Sequence, residues 1–192
     1  MDRRLLAWAY AQRRRGSDLP PLWLFTDARR LPDPRPAVAR LPRGLAGVVL
    51  RHDGEPGRAR LGYDLAMICR ARRLALVVAG DARLAAAIGA GMHLRAGRWP
   101  GVQRRRRLIT SSAHGCADLL RARRAGVSLV FLSPAFPTLS HPDVNALGPV
   151  RWARLARWAP LPVAALGGID GATIRRLPRR ACHAIGAIGA LA

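Results

Sequence analysis

The 192-residue sequence predicts an α/β protein, a small (β/α)8 (TIM) barrel with degenerate helices and an extra helix ahead of it. Three observations predict this. Eight short runs of near-continuous apolar character recur along the chain, the pattern of strands buried on both faces of a parallel sheet. Amphipathic or loop-like segments separate consecutive runs, as alternating β and α units require. Hydrophobic residues make up 50% of the chain and charged residues 23%, enough to build a core and too apolar for wholesale disorder. A doubly wound open sheet is the alternative, but it ordinarily needs fewer strands.

Met1 to Gly16 read as an N-terminal helix; the apolar part is too short, and charged again too soon at Arg13-Arg14-Arg15, for a signal peptide. The runs follow in order at Leu22–Thr26, Gly47–Arg51, Leu74–Val78, Gly91–Leu94, Arg107–Thr110, Val127–Leu132, Pro162–Leu166 and Ala184–Ile188. Helical patterns lie at Arg58–Arg72, Ala82–Ile88, Cys116–Ala125 and Val150–Trp158. A barrel of this kind usually takes about 250 residues, so its first, fourth and seventh helices must be short or degenerate here. Asp33-Pro34-Arg35-Pro36 to Pro42 holds little more than a turn or two. There is no linker and no solenoid-period repeat. One domain is expected, with the helix at 1–16 and the barrel at 22–190.

The charge is extreme, with 33 basic and 11 acidic residues and a formal net charge of +22. Such a balance ordinarily points to nucleic acid. Every basic residue is arginine, however, and the arginines are scattered over would-be helix faces and loops with little aromatic interleaving. A solvated, arginine-biased surface is the better reading, and nucleic acid is not the expected partner. Phosphorylated small molecules are. The absence of lysine excludes a Schiff-base mechanism and a P-loop lysine. Cys69, Cys116 and Cys182 have no metal-ligand spacing, and a cytoplasmic location follows as the default. No apolar stretch approaches the roughly 18 residues of a membrane span. No motif indicates a nucleotide or flavin cofactor, and a homo-oligomer is left open.

In a barrel the chemistry collects where the strands end, because the loops there converge on the mouth. Polar residues and glycines gather at those ends. Ser133-Pro134-Ala135-Phe136-Pro137-Thr138-Leu139-Ser140-His141 follows the sixth run, and its prolines stiffen a loop whose Thr138, Ser140 and His141 can donate to phosphate oxygens. The alternative is a proline-rich turn with incidental hydroxyls. Gly167-Gly168 after the seventh run and Ile188-Gly189 after the eighth offer backbone N–H groups to an anion, at the loops where barrels frequently bind phosphate. Flexible turns packed on small residues are the bland counterpart. Ser112-Ala113-His114 ends the fifth run, and His114 is a candidate acid or base, or else a packing residue. Arg51, closing the second run, suits a phosphate. His93 lies inside the fourth run and reads as a satisfied core residue.

Taken together and in order, these segments resemble the thiamine phosphate synthase / TenI family of barrels. The similarity covers about Leu22 to Ala190 and rests on Leu22-Trp23-Leu24-Phe25-Thr26-Asp27, Gly91-Met92-His93-Leu94, Ser112-Ala113-His114, the Ser133 to His141 loop and Leu166-Gly167-Gly168-Ile169. The resemblance implies a synthase that joins a hydroxymethylpyrimidine pyrophosphate to a thiazole phosphate. Arg51, Ser112, Thr138 and Ser140 would then hold the pyrophosphate, and Gly168 with the Ile188-Gly189 backbone the thiazole phosphate. It implies Mg2+ as well, yet the magnesium-binding positions depart from the family pattern. The Asn-Asp pair expected after the third strand aligns with Ala79-Gly80, leaving Asp81 one place late, and a second aspartate falls on Arg98. A glutamine and a lysine near the second strand become Val49 and Asp53, and a lysine of the sixth loop becomes His141. Arg98 and Asp81 can partly replace what is missing, a cation on the pyrophosphate standing in for the ion. Two rivals stay open: a TenI-like thiazole tautomerase that shuttles a proton on His114, and a non-catalytic barrel that binds a phosphorylated ligand.

Overall fold

A computed structural model of the chain describes residues 1–98, 108–138 and 144–192. Eight parallel strands close into a barrel in sequence order. They are β1 (Leu22–Phe25), β2 (Ala46–Leu50), β3 (Ala75–Ala79), β4 (Gly91–Leu94), β5 (Ile109–Ala113), β6 (Leu129–Leu132), β7 (Val163–Leu166) and β8 (Ala184–Ala187). The helices are α1 (Arg3–Arg13), α2 (Arg35–Arg40), α3 (Arg58–Arg72), α4 (Ala82–Ala87), α5 (Cys116–Arg124) and α6 (Gly148–Trp158). Only a single 310 turn, Thr173–Arg176, stands between β7 and β8, and α2 has six residues. The economies expected of a short chain therefore fall after β1 and β7. The segment after β4 runs into residues 99–107, outside the described residues. The fifth strand begins later than its apolar run and takes in Ser111 to Ala113, because their backbones continue the ladder to Val130, Phe131 and Leu132 of β6.

Side chains alternate between two cores. Leu22, Leu24, Val48, Leu50 and Val130 face outward onto the helices. Trp23, Phe25, Val49, Val77, Leu129, Phe131 and Ala164 fill the barrel. The interior is packed by pairing large with small: a Cβ on Gly47 would lie 2.5 Å from the Trp23 ring, so glycine is what lets the indole cross the axis. Above it Phe25 meets Phe131 edge-on at 4.8 Å and the His93 ring at 5.5 Å, contacts worth about 0.5–1.5 kcal/mol each beyond the area they bury. His93 is a core residue, as its place inside the strand predicts. Its Nδ1 is 2.8 Å from Thr110 Oγ1. Burial, together with the charges of Arg51 and Arg95, pushes its pKa down to about 3 and keeps the ring neutral.

The N-terminal helix has a definite berth. Residues after β8 form no helix, and α1 lies along that flank of the barrel. At one end the Asp2 N–H donates to Ala190 O and an Asp2 carboxylate oxygen accepts from the Gly171 N–H. At the other, Gln12 donates to the carbonyls of Arg179 and Cys182. Leu5, Trp8 and Ala9 bury the face between. No described helix is long and apolar enough to cross a membrane.

Candidate functional site

The loops at the C-terminal ends of the strands enclose a cavity of about 740 Å³. Its walls are Phe25 and Arg30 from the β1 end, Arg51 from β2, His114 from β5 and Ser133, Pro134 and Phe136 to Thr138 from β6, completed by Leu166 to Asp170 from β7 and Gly186 to Ala190 from β8. Thr173, Arg176 and Val144 close the side. The residues expected to act together, Arg51, His114, Thr138, Gly167, Gly168, Ile188 and Gly189, therefore share one chamber. Ser140 and His141 lie outside the described residues.

Each wall has a local cause. The Ser133–Pro134 peptide is cis, and the loop it opens lies against the β7 end, with Ala135 N–H donating to Leu166 O at 2.8 Å and Phe136 N–H to Gly167 O at 3.0 Å. Gly168 has φ +63°, and a Cβ there would come within 2.4 Å of Pro137 O, so this close approach of two backbones admits glycine alone. The flexible-turn reading of the glycine pair is thus half right, since Gly168 is needed for packing. What the packing produces is a rim of backbone on the cavity wall. Among the described residues the Gly168 and Gly189 amides have no protein acceptor. Arg30 leans over the second of them, its Nη2 3.7 Å from where a Gly189 Cβ would be.

His114 Nδ1 is 2.9 Å from Ser133 O, and its own N–H donates to Asp118 at 2.8 Å. A carbonyl can only accept, so Nδ1 carries the proton in the neutral ring and the lone pair is left on Nε2. Arg51 is held from both sides: its N–H donates to Thr26 Oγ1 at 2.9 Å, and its carbonyl accepts from Arg58 Nε at 3.1 Å. Its guanidinium reaches Asp27 at 3.5 Å. Burial raises the Asp27 carboxyl, but N–H bonds from Arg30 and Arg29 and the charge of Arg51 outweigh it and hold Asp27 below its ordinary value. Asp170 is also held low, chiefly by the N–H of Thr173, and stays an anion on the cavity wall.

Two expected site residues are placed otherwise. Ser112 does not line the cavity. Its hydroxyl accepts from the Ala96 N–H at 3.1 Å, and Ser111 accepts from Gly97 at 2.8 Å, so both serines hold the turn after β4. Asp81 is an N-cap: one oxygen accepts from Leu84 N–H at 2.9 Å, and the other faces Arg58 at 3.4 Å. Its neighbour Asp53 is shared by Arg58 at 3.3 Å and Arg95 at 2.5 Å. Among the described residues no group of three His, Cys, Asp or Glu side chains could hold a metal ion. With Gly80 and Arg98 at the positions where the resemblance expects carboxylates, and Asp53 and Asp81 already paired with guanidinium groups, these residues do not fit a magnesium ion.

Sequence reasoning missed Arg30, Arg176 and Thr173. Arg176 covers the Phe136 ring at 5.2 Å, and Thr173 Oγ1 donates to Gly168 O at 2.9 Å. In a chain with 33 basic residues a functional arginine has no compositional contrast, and only position at a strand end could have singled these out.

Comparison with known proteins bears on the same region. A family model described as thiamine monophosphate synthase matches residues 27–191. A thiamine-phosphate synthase of Halorhodospira halophila is 31% identical over 186 residues, 91% of this chain and 88% of that protein. A bifunctional thiamine biosynthesis protein of Geobacter sulfurreducens is 29% identical over 164 residues, 80% of this chain but only 33% of its own length. Among solved structures, a thiamine phosphate pyrophosphorylase from Pyrococcus furiosus superposes with a TM-score of 0.73 at 22% identity, covering 88% of this chain and 85% of that one, a likeness of fold.

Proposed function

The chain belongs to the thiamine monophosphate synthase family, and from that premise we propose that it condenses a hydroxymethylpyrimidine pyrophosphate with a thiazole phosphate to give thiamine phosphate and pyrophosphate. One observation carries the reading: Arg51, His114, Thr138, Gly168 and Gly189, drawn from five strand ends, line a single cavity roomy enough for two small aromatic phosphates.

In this reaction the bond between the pyrimidine methylene carbon and the pyrophosphate oxygen breaks, and the electron pair leaves with the oxygen. The thiazole nitrogen lone pair then closes on the methylene cation, forming the C–N bond of the thiazolium. No protein nucleophile is needed. The protein's task is to stabilise the departing anion and to hold the two rings in line. Arg51 and Thr138 are the groups for the pyrophosphate, and the amides around Gly168 and Gly189 with Arg30 are those for the thiazole phosphate. Phe25, Phe136, Leu166 and Ile169 supply apolar surface for flat rings.

A thiazole tautomerase is the second reading, favoured by the tautomer of His114. With the proton fixed on Nδ1, Nε2 is a base at the cavity wall. The two readings separate in one experiment. The pure protein, given both synthase substrates and magnesium, releases pyrophosphate and forms thiamine phosphate if the first is right; no product above the uncatalysed background overturns it. Deuterium exchange into the thiazole carboxylate phosphate, compared between wild type and His114→Ala, decides the second, and equal slow exchange in both removes it.

A further inference from the structure

The turn that follows β4 carries the strongest unassigned feature of the molecule. Arg95-Ala96-Gly97-Arg98 reverses the chain, with the Arg98 N–H donating to Arg95 O at 3.0 Å and the end residues forming an antiparallel bridge. Both central residues have positive φ, +50° for Ala96 and +73° for Gly97, as a type I′ turn requires. It is anchored with unusual care. Ser112 and Ser111 accept its two central amides, and Arg121 Nε donates to Ala96 O at 3.0 Å. A Cβ on Gly97 would meet Ala122 N at 2.8 Å. A turn held at both central amides and one carbonyl fixes the backbone of its two end residues, both exposed arginines, in one bridged pair beyond the C-terminal end of β4.

Three further facts tie this pair to the site. Arg95 follows β4 two residues beyond His93, as Arg51 follows β2, so both side chains start from strand ends at the same mouth of the barrel, and both charges help depress the His93 pKa. The Arg95 guanidinium also covers Gly80: a Cβ there would lie 3.7 Å from its Nη2. Finally, Arg58 is spent on structure, donating to Ala79 O at 2.5 Å and Arg51 O at 3.1 Å between Asp53 and Asp81. Arg51, Arg58, Arg95 and Arg98 thus stand against Asp27, Asp53 and Asp81, four guanidinium groups to three carboxylates. The two positions where carboxylates for a metal are expected hold a glycine roofed by one arginine and, at the other, a second arginine. A guanidinium is a permanent cation whose forked donors match phosphate oxygens two at a time.

We propose that Arg95 and Arg98, together with Arg51, form a metal-independent site for the pyrophosphate group, guanidinium charge doing at the β2–β4 rim what a bound divalent cation would do. The inference rests on the synthase reading for the identity of the anion but not for its existence. The test uses inorganic pyrophosphate as the probe, titrated calorimetrically into the full chain in EDTA and again with Mg2+ in excess. Binding in EDTA is expected, with an affinity that Mg2+ changes by less than about threefold, and Arg95→Gln/Arg98→Gln is expected to weaken it by about tenfold or more. Arg98→Gln alone, at an exposed position, keeps the turn's hydrogen bonds and gives a smaller loss in a protein whose melting temperature is unchanged. Binding that requires Mg2+, no binding at all, or a double variant that binds like wild type overturns the proposal. Pyrophosphate bound in EDTA without any condensation leaves the arginine site standing and removes the synthase; condensation that runs only with Mg2+ does the reverse.

Discussion

Around β6, β7 and β8 the barrel mouth is lined with backbone and small hydroxyls, Thr138, Gly168, Ile188 and Gly189 among them, and its shape comes from two loops locked together by main-chain hydrogen bonds. Around β2, β3 and β4 the mouth is lined with guanidinium groups, and its shape comes from ion pairs and from a turn pinned by serines. On the proposed synthase reading the two halves face the same chemical problem, an anionic oxygen group, with different physics. Oriented amides cost no side-chain entropy and carry only partial charge, so they suit a group that stays bound. Full charges on side chains act most strongly where negative charge grows, as on a departing pyrophosphate. The first half is intolerant of added atoms, and the second is tunable by charge.

That contrast can be broken in four ways, from the largest effect down. Gly168→Ala places a Cβ against Pro137 O on a left-handed backbone; a loss of about 2–4 kcal/mol of stability is expected by denaturant unfolding, with thiazole phosphate binding abolished. Unchanged stability would show that the two loops are not locked. Arg51→Gln leaves the glycine rim intact, and pyrophosphate affinity should fall about tenfold while thiazole phosphate affinity moves by less than about twofold, a split read by titration with each ligand. Raising salt from about 0.05 to about 0.5 M should weaken pyrophosphate binding more than thiazole phosphate binding, because exposed charges are screened and amide dipoles in a cleft much less so. Equal salt slopes for the two ligands would erase the distinction between the halves.

The smallest effect concerns the core beneath both. His93 is neutral in the fold with its pKa pushed down to about 3, whereas the unfolded chain protonates near the ordinary histidine value of 6.5. Below that value the unfolded state binds the extra proton, so stability is lost as pH falls through the window between them, by up to about 1.4 kcal/mol per pH unit. His93→Gln, which can keep a bond to Thr110, should flatten the melting-temperature profile between those limits. An unaltered slope would mean that other groups set the acid limit.

The barrel itself was legible because strands buried on both faces carry a signal that needs no partner: the apolar runs starting at Leu22, Pro162 and Ala184 begin within a residue of their strands. The site was legible where chemistry is confined to strand ends, which is why His114, Gly168 and Gly189 meet as expected. Ser112 lies off the cavity wall for a physical reason. A hydroxyl at a strand end looks the same in sequence whether it faces a ligand or an amide, and the amide of Ala96 reaches it only through tertiary closure of the turn. Asp81 was similarly ambiguous, since an N-cap and a ligand are both aspartates beside a helix start. Arg95 escaped notice because its meaning lies in what it covers, and Gly80 across the rim is invisible to a linear reading.

The berth of α1 has a practical corollary. Asp2 ties together the Gly171 and Ala190 backbones, one in the segment after β7 and the other in that after β8, so the first residues of the chain buttress the wall that carries Gly168 and Gly189. An affinity tag or fluorescent fusion joined directly ahead of Asp2 would tug on that wall. Labels for kinetic work belong instead on the outer surface of α3, at exposed Tyr63 or Met67, where the scaffold will not transmit the disturbance.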